Sequence, residues 1–189
     1  MKENIQWKDA PMPDSSPGTK LSTLFVSDTV ERSRLMLVEF PKGFSRETTG
    51  HYPAYEELFI ISGSLEISGY TFKENDYVLF PPNFTRSDTA CPEGCFAIVW
   101  WSHKPSWHKG PNENPDNNLI SKESNNINEA FINLLQNDEF HSIFLGRDNT
   151  TFDINEEFIG VDVDNYDFVQ GNSLDSLDNG RYFLKINKF

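Results

Sequence analysis

Short apolar runs separated by turn residues dominate the first half of the chain. The longest runs are Leu21–Val26, Arg34–Phe40, Glu57–Ser62, Tyr77–Phe80 and Phe96–Trp101. They are rich in β-branched and aromatic residues and follow one another at intervals of about 8–12 residues, a spacing typical of β-sandwiches and barrels. Further short strands are predicted at Leu65 and at Tyr70–Phe72, with a tight turn at Gly63. The pattern therefore predicts a mainly β fold.

The segments flanking these strands have a different composition. Residues 1–20 are polar and carry three prolines, which predicts an extended N-terminal arm held to the body through Ile5 and Trp7. Residues 21–104 contain the strands of the predicted barrel. Residues 105–126 contain three more prolines and a run of asparagines, which indicates a polar loop.

The periodicity changes in residues 127–189. Ile127, Ala130, Phe131, Leu134 and Leu135 fall on one stripe of a helix, and the residues Asn126 to Glu129 offer a capping arrangement before it. Three strands are predicted after this helix, at Phe140–Leu145, Phe158–Val163 and Arg181–Ile186. We therefore expect a C-terminal region made of a short helix and strands that pack on the barrel.

Charge and cysteine content narrow the classes of partner. The chain has 29 acidic and 16 basic residues, a net charge of −13, which would repel nucleic acid and anionic membranes. No apolar run approaches the length of a membrane span, and no secretory signal follows Met1, so the sequence predicts a cytoplasmic protein.

The only cysteines, Cys91 and Cys95, lack the second pair of ligands of a structural zinc site, and we expect them to be reduced. The acidic residues Asp162, Asp164 and Asp167 lack the pattern of a calcium loop and indicate a solvated turn.

The segment from Gly43 to Arg86 resembles the cupin family. In the first cupin motif a Gly is followed after five residues by His-x-His, then Glu, then Gly; here Gly43 is followed by Thr49, His51, Glu56 and Gly63 in that register. In the second motif, Asn75 and Asn83 stand at the two glycine positions, Pro81 matches the proline, and Arg86 stands at the histidine position. The phrases EELFIISGSL and ENDYVLFPPNFTR are most similar to ChrR-type cupins, which include anti-sigma-factor domains and relatives of metal-dependent dioxygenases. The resemblance covers about residues 21–103 and implies a jelly-roll β-barrel that often dimerises.

The resemblance also implies a metal site with three His and one Glu as ligands. The matching positions here are Thr49, His51, Glu56 and Arg86, so two of the four ligand types are changed. Threonine is a poor ligand for zinc, iron or manganese, and a guanidinium has no lone pair to give. We therefore expect no cofactor, with a divalent metal on His51, Glu56 and His103 as the alternative, since His103 follows Ala97, Val99 and Trp101 on one strand face.

Arg86 suits a different role, because its planar donors match a carboxylate. It is predicted to pair with Glu56 or Glu57, or to bind an anionic or carbonyl-bearing ligand; the third alternative is an outward-pointing side chain. By alternation along the strand, Glu56 faces the barrel mouth and Glu57 faces away. His51 is open to three interpretations: a metal ligand, a general acid or base, or a hydrogen-bonded remnant of the family site.

Three functions follow from these residues. The first is a degenerate cupin barrel that binds a small ligand through Thr49, His51, Glu56 and Arg86. The second is a dioxygenase-like cupin enzyme with an atypical metal set, in which His51 and Glu56 would be catalytic. The third is a regulatory interaction protein, although the N-terminal arm is too short for a separate sigma-binding domain. We favour the first, with a homodimer as the expected assembly.

Overall fold

The structure is a computed structural model that describes residues 5–115, 118–123, 131–137, 140–146 and 155–187 of the 189-residue chain. The chain divides into two compact units. One is Gln6–Ser124, and the other is Asn125–Phe189 with Met1–Ile5. Both are built from antiparallel strands, which confirms the mainly β class predicted from the run pattern.

The first unit consists of twelve described strands. They are β1 (Lys8–Asp9), β2 (Lys20–Val26), β3 (Arg34–Phe40), β4 (Phe44–Arg46), β5 (Gly50–His51), β6 (Glu56–Ile67), β7 (Tyr70–Lys73), β8 (Tyr77–Phe80), β9 (Thr89–Cys91), β10 (Cys95–Trp101), β11 (His108–Lys109) and β12 (Ile120–Lys122). The main sheet has the order β1-β2-β3-β10-β6-β8-β12, with β7 and β9 also pairing with β6 and β4 pairing with β9. A separate ladder joins β5 to β11.

Strand β10 lies at the centre of this curled sheet. It pairs with β3 on one side and with β6 on the other, and all seven of its residues are buried. Ala97, Val99 and Trp101 belong to the same apolar cluster as Leu58 and Ile60 of β6. Alternate residues of the two central strands therefore form the inner face of the curl, where the candidate site lies.

Gly63 lies within strand β6 and is not a tight turn. The strand runs without interruption from Glu56 to Ile67, and its register against β10 shifts between Phe96 and Ala97, which marks a bulge. Gly63 has a φ of +80°, and a Cβ at this position would lie 2.1 Å from the carbonyl oxygen of Gly94. The close approach of two backbones explains why the chain has a glycine here, and the bulge lets one long strand join both parts of the sheet.

The described part of the second unit forms a five-stranded sheet with the order β13-β14-β17-β15-β16. Its strands are β13 (Phe131–Gln136), β14 (His141–Leu145), β15 (Phe158–Asp162), β16 (Phe168–Gly171) and β17 (Tyr182–Ile186), and a 3₁₀ turn covers Leu174–Ser176. The three strands predicted after residue 139 are confirmed. Their inner residues, including Ile143, Phe158 and Leu184, form a separate apolar cluster.

The predicted C-terminal helix is wrong where the structure describes it. Phe131–Gln136 is strand β13, which pairs with β14, while residues 127–130 lie outside the described residues. The residues Phe-Ile-Asn-Leu-Leu match a helical stripe and also a strand, and pairing with the partner strand decided between the two. The only helical segment described in this region is the 3₁₀ turn. In the described part of the chain, no helix is long and apolar enough to cross a membrane.

Candidate functional site

A cavity of about 330 Å³ lies inside the curled sheet of the first unit. Most of its wall is aliphatic or aromatic, supplied mainly by β3, β6 and β10. Two further segments complete it: residues 10–13, before the first long strand, and Pro105 with Trp107, after β10. The side chains that line it are Ala10, Pro11, Met12, Pro13, Leu21, Met36, Val38, Phe40, Phe44, Arg46, Tyr52, Glu56, Leu58, Leu65, Ile67, Phe80, Arg86, Thr89, Val99, Trp101, Pro105 and Trp107.

Glu56 and Arg86 form an ion pair in this cavity. Glu56 is the first residue of β6, and Arg86 is held opposite Gly50 by two backbone hydrogen bonds, Gly50 N to Arg86 O and Arg86 N to Gly50 O. The Nη1 group of Arg86 donates to Oε2 of Glu56. Both residues are buried, with 4% and 8% of their surfaces exposed for Arg86 and Glu56. The pairing predicted between Arg86 and a neighbouring glutamate is thus confirmed for Glu56.

Aromatic rings surround the Arg86 guanidinium. Its central carbon lies 4.7 Å from the centroid of the Phe80 ring and 4.9 Å from that of Tyr52. A cation in such a setting is attracted to the ring faces, and more strongly where water is excluded. The rings therefore stabilise the charge of Arg86 in addition to the carboxylate.

The two adjacent glutamates of β6 have different partners. Burial raises the pKa of the Glu56 carboxyl above its ordinary value, while the positive charges of Arg86 and, to a smaller extent, Arg46 oppose the increase. Glu57 is fully buried on the opposite face of the strand and accepts a 2.9 Å hydrogen bond from the hydroxyl of Tyr77. The alternation predicted from the sequence is confirmed, and only Glu56 contributes to the cavity.

Arg46, which sequence reasoning did not select, is a second arginine in the cavity wall. It ends strand β4 and is 4% exposed. Its Nη1 donates to the hydroxyl of Tyr52 over 3.2 Å, and its guanidinium carbon lies 3.8 Å from the centroid of the Trp107 ring. Alternation from the buried Phe44 could have indicated this inward position, because residues two apart in a strand share a face.

Trp107 covers the site from the segment after β10, which the sequence predicted as polar loop. A Cβ on Gly50 would lie 2.2 Å from the Trp107 ring, so the ring packs directly on the glycine backbone. The Tyr52 ring lies 5.0 Å from that of Trp107 and 4.8 Å from that of Trp101. Gly50 thus allows the indole to close one side of the cavity.

The structure brings together two of the predicted site residues, Glu56 and Arg86, but not the other three. Thr49 and His51 are absent from the cavity lining, where Tyr52 lies instead. The Nδ1 atom of His51 lies 3.1 Å from the carbonyl oxygen of Gly110, and its Nε2 lies 3.2 Å from Nδ2 of Asn112. His103 is exposed and contacts Ser102 Oγ. A one-residue difference in register exchanges the two faces of a strand, which accounts for the placement of Thr49 and His51.

Both asparagines that replace motif glycines adopt the backbone conformation that glycine favours. The φ angles are +72° at Asn75 and +67° at Asn83. Asparagine enters the left-handed region more easily than other residues with a side chain. The backbone of the second motif is therefore kept although its glycines and its histidine have changed.

The residues present do not fit the family's metal. Glu56 is engaged by Arg86, and Arg86 itself offers only donors. Both ring nitrogens of His51 have hydrogen-bonding neighbours outside the cavity lining. Among the described residues, no group of three or more His, Cys, Asp or Glu side chains is arranged to hold a metal ion.

Neither the cysteines nor the residues of the acidic turn are among those that line the cavity. Cys91 and Cys95 are free and buried, and a hydrogen bond between the two thiols together with burial raises the pKa of Cys91. In the second unit, the carboxylate of Asp162 accepts hydrogen bonds from the backbone of Asp164 and Asn165, and Asp164 pairs with Arg181 at 2.7 Å. This acidic cluster is thus a hydrogen-bonded turn, more buried at Asp162 than the sequence predicted.

Comparison with known proteins supports the fold alone. No protein-family model and no curated protein matches the sequence. Among solved structures, a candidate dioxygenase from Nostoc punctiforme is similar over 99% of this chain and 81% of its own, with a TM-score of 0.64 and 12% identity. A candidate acetylacetone dioxygenase from Methylibium petroleiphilum covers 64% of this chain and 85% of its own, with a TM-score of 0.50 and 20% identity.

The ChrR likeness is weaker. The complex of Rhodobacter sphaeroides SigE with the anti-sigma factor ChrR matches over 52% of this chain and 50% of its own, with a TM-score of 0.42 and 14% identity. That score supports no argument about function. The neighbours as a group are cupin-fold proteins, and their likeness shows that this chain has a cupin-type fold.

Proposed function

We propose that the first unit binds a small anionic or carbonyl-bearing molecule in its cavity, without the usual metal of the family. The buried Arg86–Glu56 ion pair, lining a cavity of about 330 Å³, carries this proposal. Cavities of this size that combine apolar walls with a few placed polar groups are typical small-molecule sites. The ion pair supplies the polar groups, and the strands around it supply the apolar wall.

The pair is suited to recognition because Arg86 uses one of its five donors on Glu56. The buried Nε of Arg86 has no hydrogen-bond partner among the described residues, and in this largely apolar cavity a hydrogen bond to a ligand oxygen is stronger than in water. An oxygen of a carboxylate or a carbonyl group matches this donor. Glu56 keeps the guanidinium oriented in the absence of ligand.

Binding can be tested by isothermal titration with hexanoate, hexanamide and 2-heptanone as probes. We expect at least one of them to bind the wild-type chain with one-to-one stoichiometry. Val99→Phe should abolish that binding, because Val99 lines the cavity and a larger ring would occupy it. Ile98→Phe is the matched control, since Ile98 is equally buried on the same strand and does not line the cavity.

Two results would contradict the proposal. One is that none of the probes binds the wild-type chain. The other is that Val99→Phe binds them as tightly as wild type does. Circular dichroism of both variants checks that the extra ring, which costs about 1–3 kcal/mol in a packed core, leaves the fold intact.

Two structural neighbours carry the name dioxygenase, and that activity belongs to those proteins. For this chain, the donor set around Glu56 favours ligand binding over metal-dependent oxygen chemistry. A cytoplasmic location and a homodimer remain predictions from the sequence. Size-exclusion chromatography with light scattering tests the second of these.

A further inference from the structure

Arg46 is a buried cation that forms no ion pair among the described residues, because the carboxylate that its charge influences, Glu56, is already paired with Arg86. It is 4% exposed, and it contacts the hydroxyl of Tyr52 and the face of the Trp107 ring. Burying a charge without a counter-charge is costly, and removing water from a guanidinium is only partly offset by a ring face. A counter-ion is therefore expected next to Arg46.

The charges of the cavity wall do not balance. Of the residues that line it, Arg46 and Arg86 are positive and Glu56 is the only acid, which leaves one net positive charge when Glu56 is ionised. A neutral carbonyl ligand would leave this charge uncompensated. A phosphate monoester, close to doubly charged at neutral pH, would overcompensate it. A single carboxylate brings the cavity to neutrality.

Three buried donors on side chains that line the cavity support the same conclusion. The Nε atoms of Arg46 and Arg86 and the indole Nε1 of Trp107 have no hydrogen-bond partner within the described part of the chain. Buried donors in folded proteins are nearly always satisfied, so three on neighbouring side chains indicate a missing acceptor. A carboxylate has about four acceptor positions on two oxygens and binds guanidinium groups in a planar, bidentate manner.

The rest of the wall determines the chemical character of the ligand body to which the carboxylate is attached. Met36, Leu58 and Val99, together with the other aliphatic and aromatic lining residues, offer no further charge. The volume of about 330 Å³ lies at the small end of the range for small-molecule pockets. A small apolar body with one acidic end would fill it and desolvate both arginines.

We propose that the cavity is selective for monocarboxylic acids with an apolar body, and that Arg46 and Trp107 determine this selectivity together with Arg86. The proposal rests on the proposed function, since it specifies the ligand of the same cavity. Arg46 contributes the second positive charge, and Trp107 contributes both the ring that orients Arg46 and an indole donor. Neutral and doubly charged analogues of the same body are disfavoured.

The test compares probes with one body and different head groups on the full chain: hexanoate, hexanamide, hexylammonium and hexyl phosphate. We expect hexanoate to bind at least about tenfold more tightly than each of the others, since hydrogen bonds to charged groups are worth roughly one to two decades of affinity. Arg46→Met should weaken hexanoate binding about 10- to 100-fold and change hexanamide binding by less than about threefold. Lys42→Met is the control, because it removes the same charge from the protein at a position on the surface. The side chain of Lys42 is 71% exposed and pairs with Glu93.

Trp107→Phe provides a second variant, which keeps a six-membered aromatic ring and removes the pyrrole part of the indole together with its N–H donor. It should weaken hexanoate by about 10- to 100-fold, the usual effect of one hydrogen bond to a charged group, and circular dichroism checks that the variant folds. This variant keeps the proposal testable even where Arg46→Met does not fold.

The outcomes separate this proposal from the proposed function. Equal affinity for hexanoate and hexanamide, or an equal loss of both in Arg46→Met, would overturn the carboxylate selectivity while small-molecule binding in the cavity stands. The same holds for hexyl phosphate binding more tightly than hexanoate. Absence of binding by all four probes would overturn the carboxylate selectivity, and if 2-heptanone does not bind either, the proposed function is overturned as well.

Discussion

Arg86 and Glu56, 30 positions apart in the chain, are joined by an ion pair whose side chains are only 5% and 10% exposed. Because water reaches neither group well, each charge depends on the other for its stability. The pair also fixes the end of β6 to the segment that follows β8. The contribution of the pair to the free energy of unfolding can be measured directly.

Replacement of Arg86 should leave a buried carboxylate without its counter-charge. We expect Arg86→Met to lower the free energy of unfolding by about 3–5 kcal/mol, the usual cost of removing one partner of a buried pair. The double variant Arg86→Met with Glu56→Leu should recover most of this loss, because no buried charge of the pair is left. Urea denaturation of the single and double variants gives the coupling energy. A loss below about 1 kcal/mol for Arg86→Met would argue against the buried pair.

Glu56 should make stability depend on pH with a definite sign. Because burial raises its pKa in the folded state above the ordinary value of 4.5, the unfolded chain loses this proton first as the pH rises. The contribution of Glu56 is therefore complete below pH 4.5 and is lost as the pH rises through the folded-state pKa. Over that pH interval, the unfolding free energy of wild type should fall relative to that of Glu56→Gln. A difference that is constant with pH, in denaturation series from pH 4 upward, would contradict the sign.

The metal content of the purified protein should be low. With Arg86 paired to Glu56, and His51 bonded outside the cavity lining, we expect much less than one equivalent of zinc, iron or manganese per chain. Mass spectrometry of protein purified without a His tag checks this, and a chelator should leave the melting temperature unchanged. One equivalent of metal that disappears in His51→Ala would instead support the enzyme alternative.

Gly50→Ala should displace Trp107. The new methyl group would lie 2.2 Å from the indole ring, so the ring must move towards solvent. We expect a red shift of tryptophan emission and a loss of about 1–3 kcal/mol in stability. The control is the double variant Gly50→Ala with Trp107→Ala, in which the clash is absent and the added cost of the alanine at position 50 should fall below about 1 kcal/mol. Equal costs in the two backgrounds would show that Trp107 is not the neighbour that matters.

The two cysteines should react slowly in the folded protein. Both are buried, and the raised pKa of the Cys91 thiol keeps it protonated, whereas only the thiolate is reactive. Ellman's reagent should detect two thiols rapidly in denaturant and few in the native state at pH 8. Rapid labelling of the native chain would contradict the buried placement.

The sequence predicted those parts of the fold that depend on local patterns. Alternation and turn residues located the long strands, and it was the register of the two motifs that led to the cupin fold and to the pairing of Arg86 with Glu56. Local patterns could not decide whether residues 131–136 form a helix or a strand, because the same apolar residues suit both. The cavity depends on contacts between distant segments, which is why Arg46 and Trp107 were missed and why His51 was expected with Glu56.

The segment Ala10–Pro13 forms part of the cavity wall although it precedes the long strands, and hydrogen bonds from Ala10 to Thr19 and from Ser16 to Ser45 hold it there. A shortened chain that begins at Lys20 would lose only the short edge strand β1 from the sheet and yet open the binding site to solvent. Assays on such a chain would report weak and unselective binding for a reason unrelated to Arg46 or Arg86. Among proteins that share this sheet, variation in the residues before the first long strand offers a route to new ligand preferences without any change in the sheet itself.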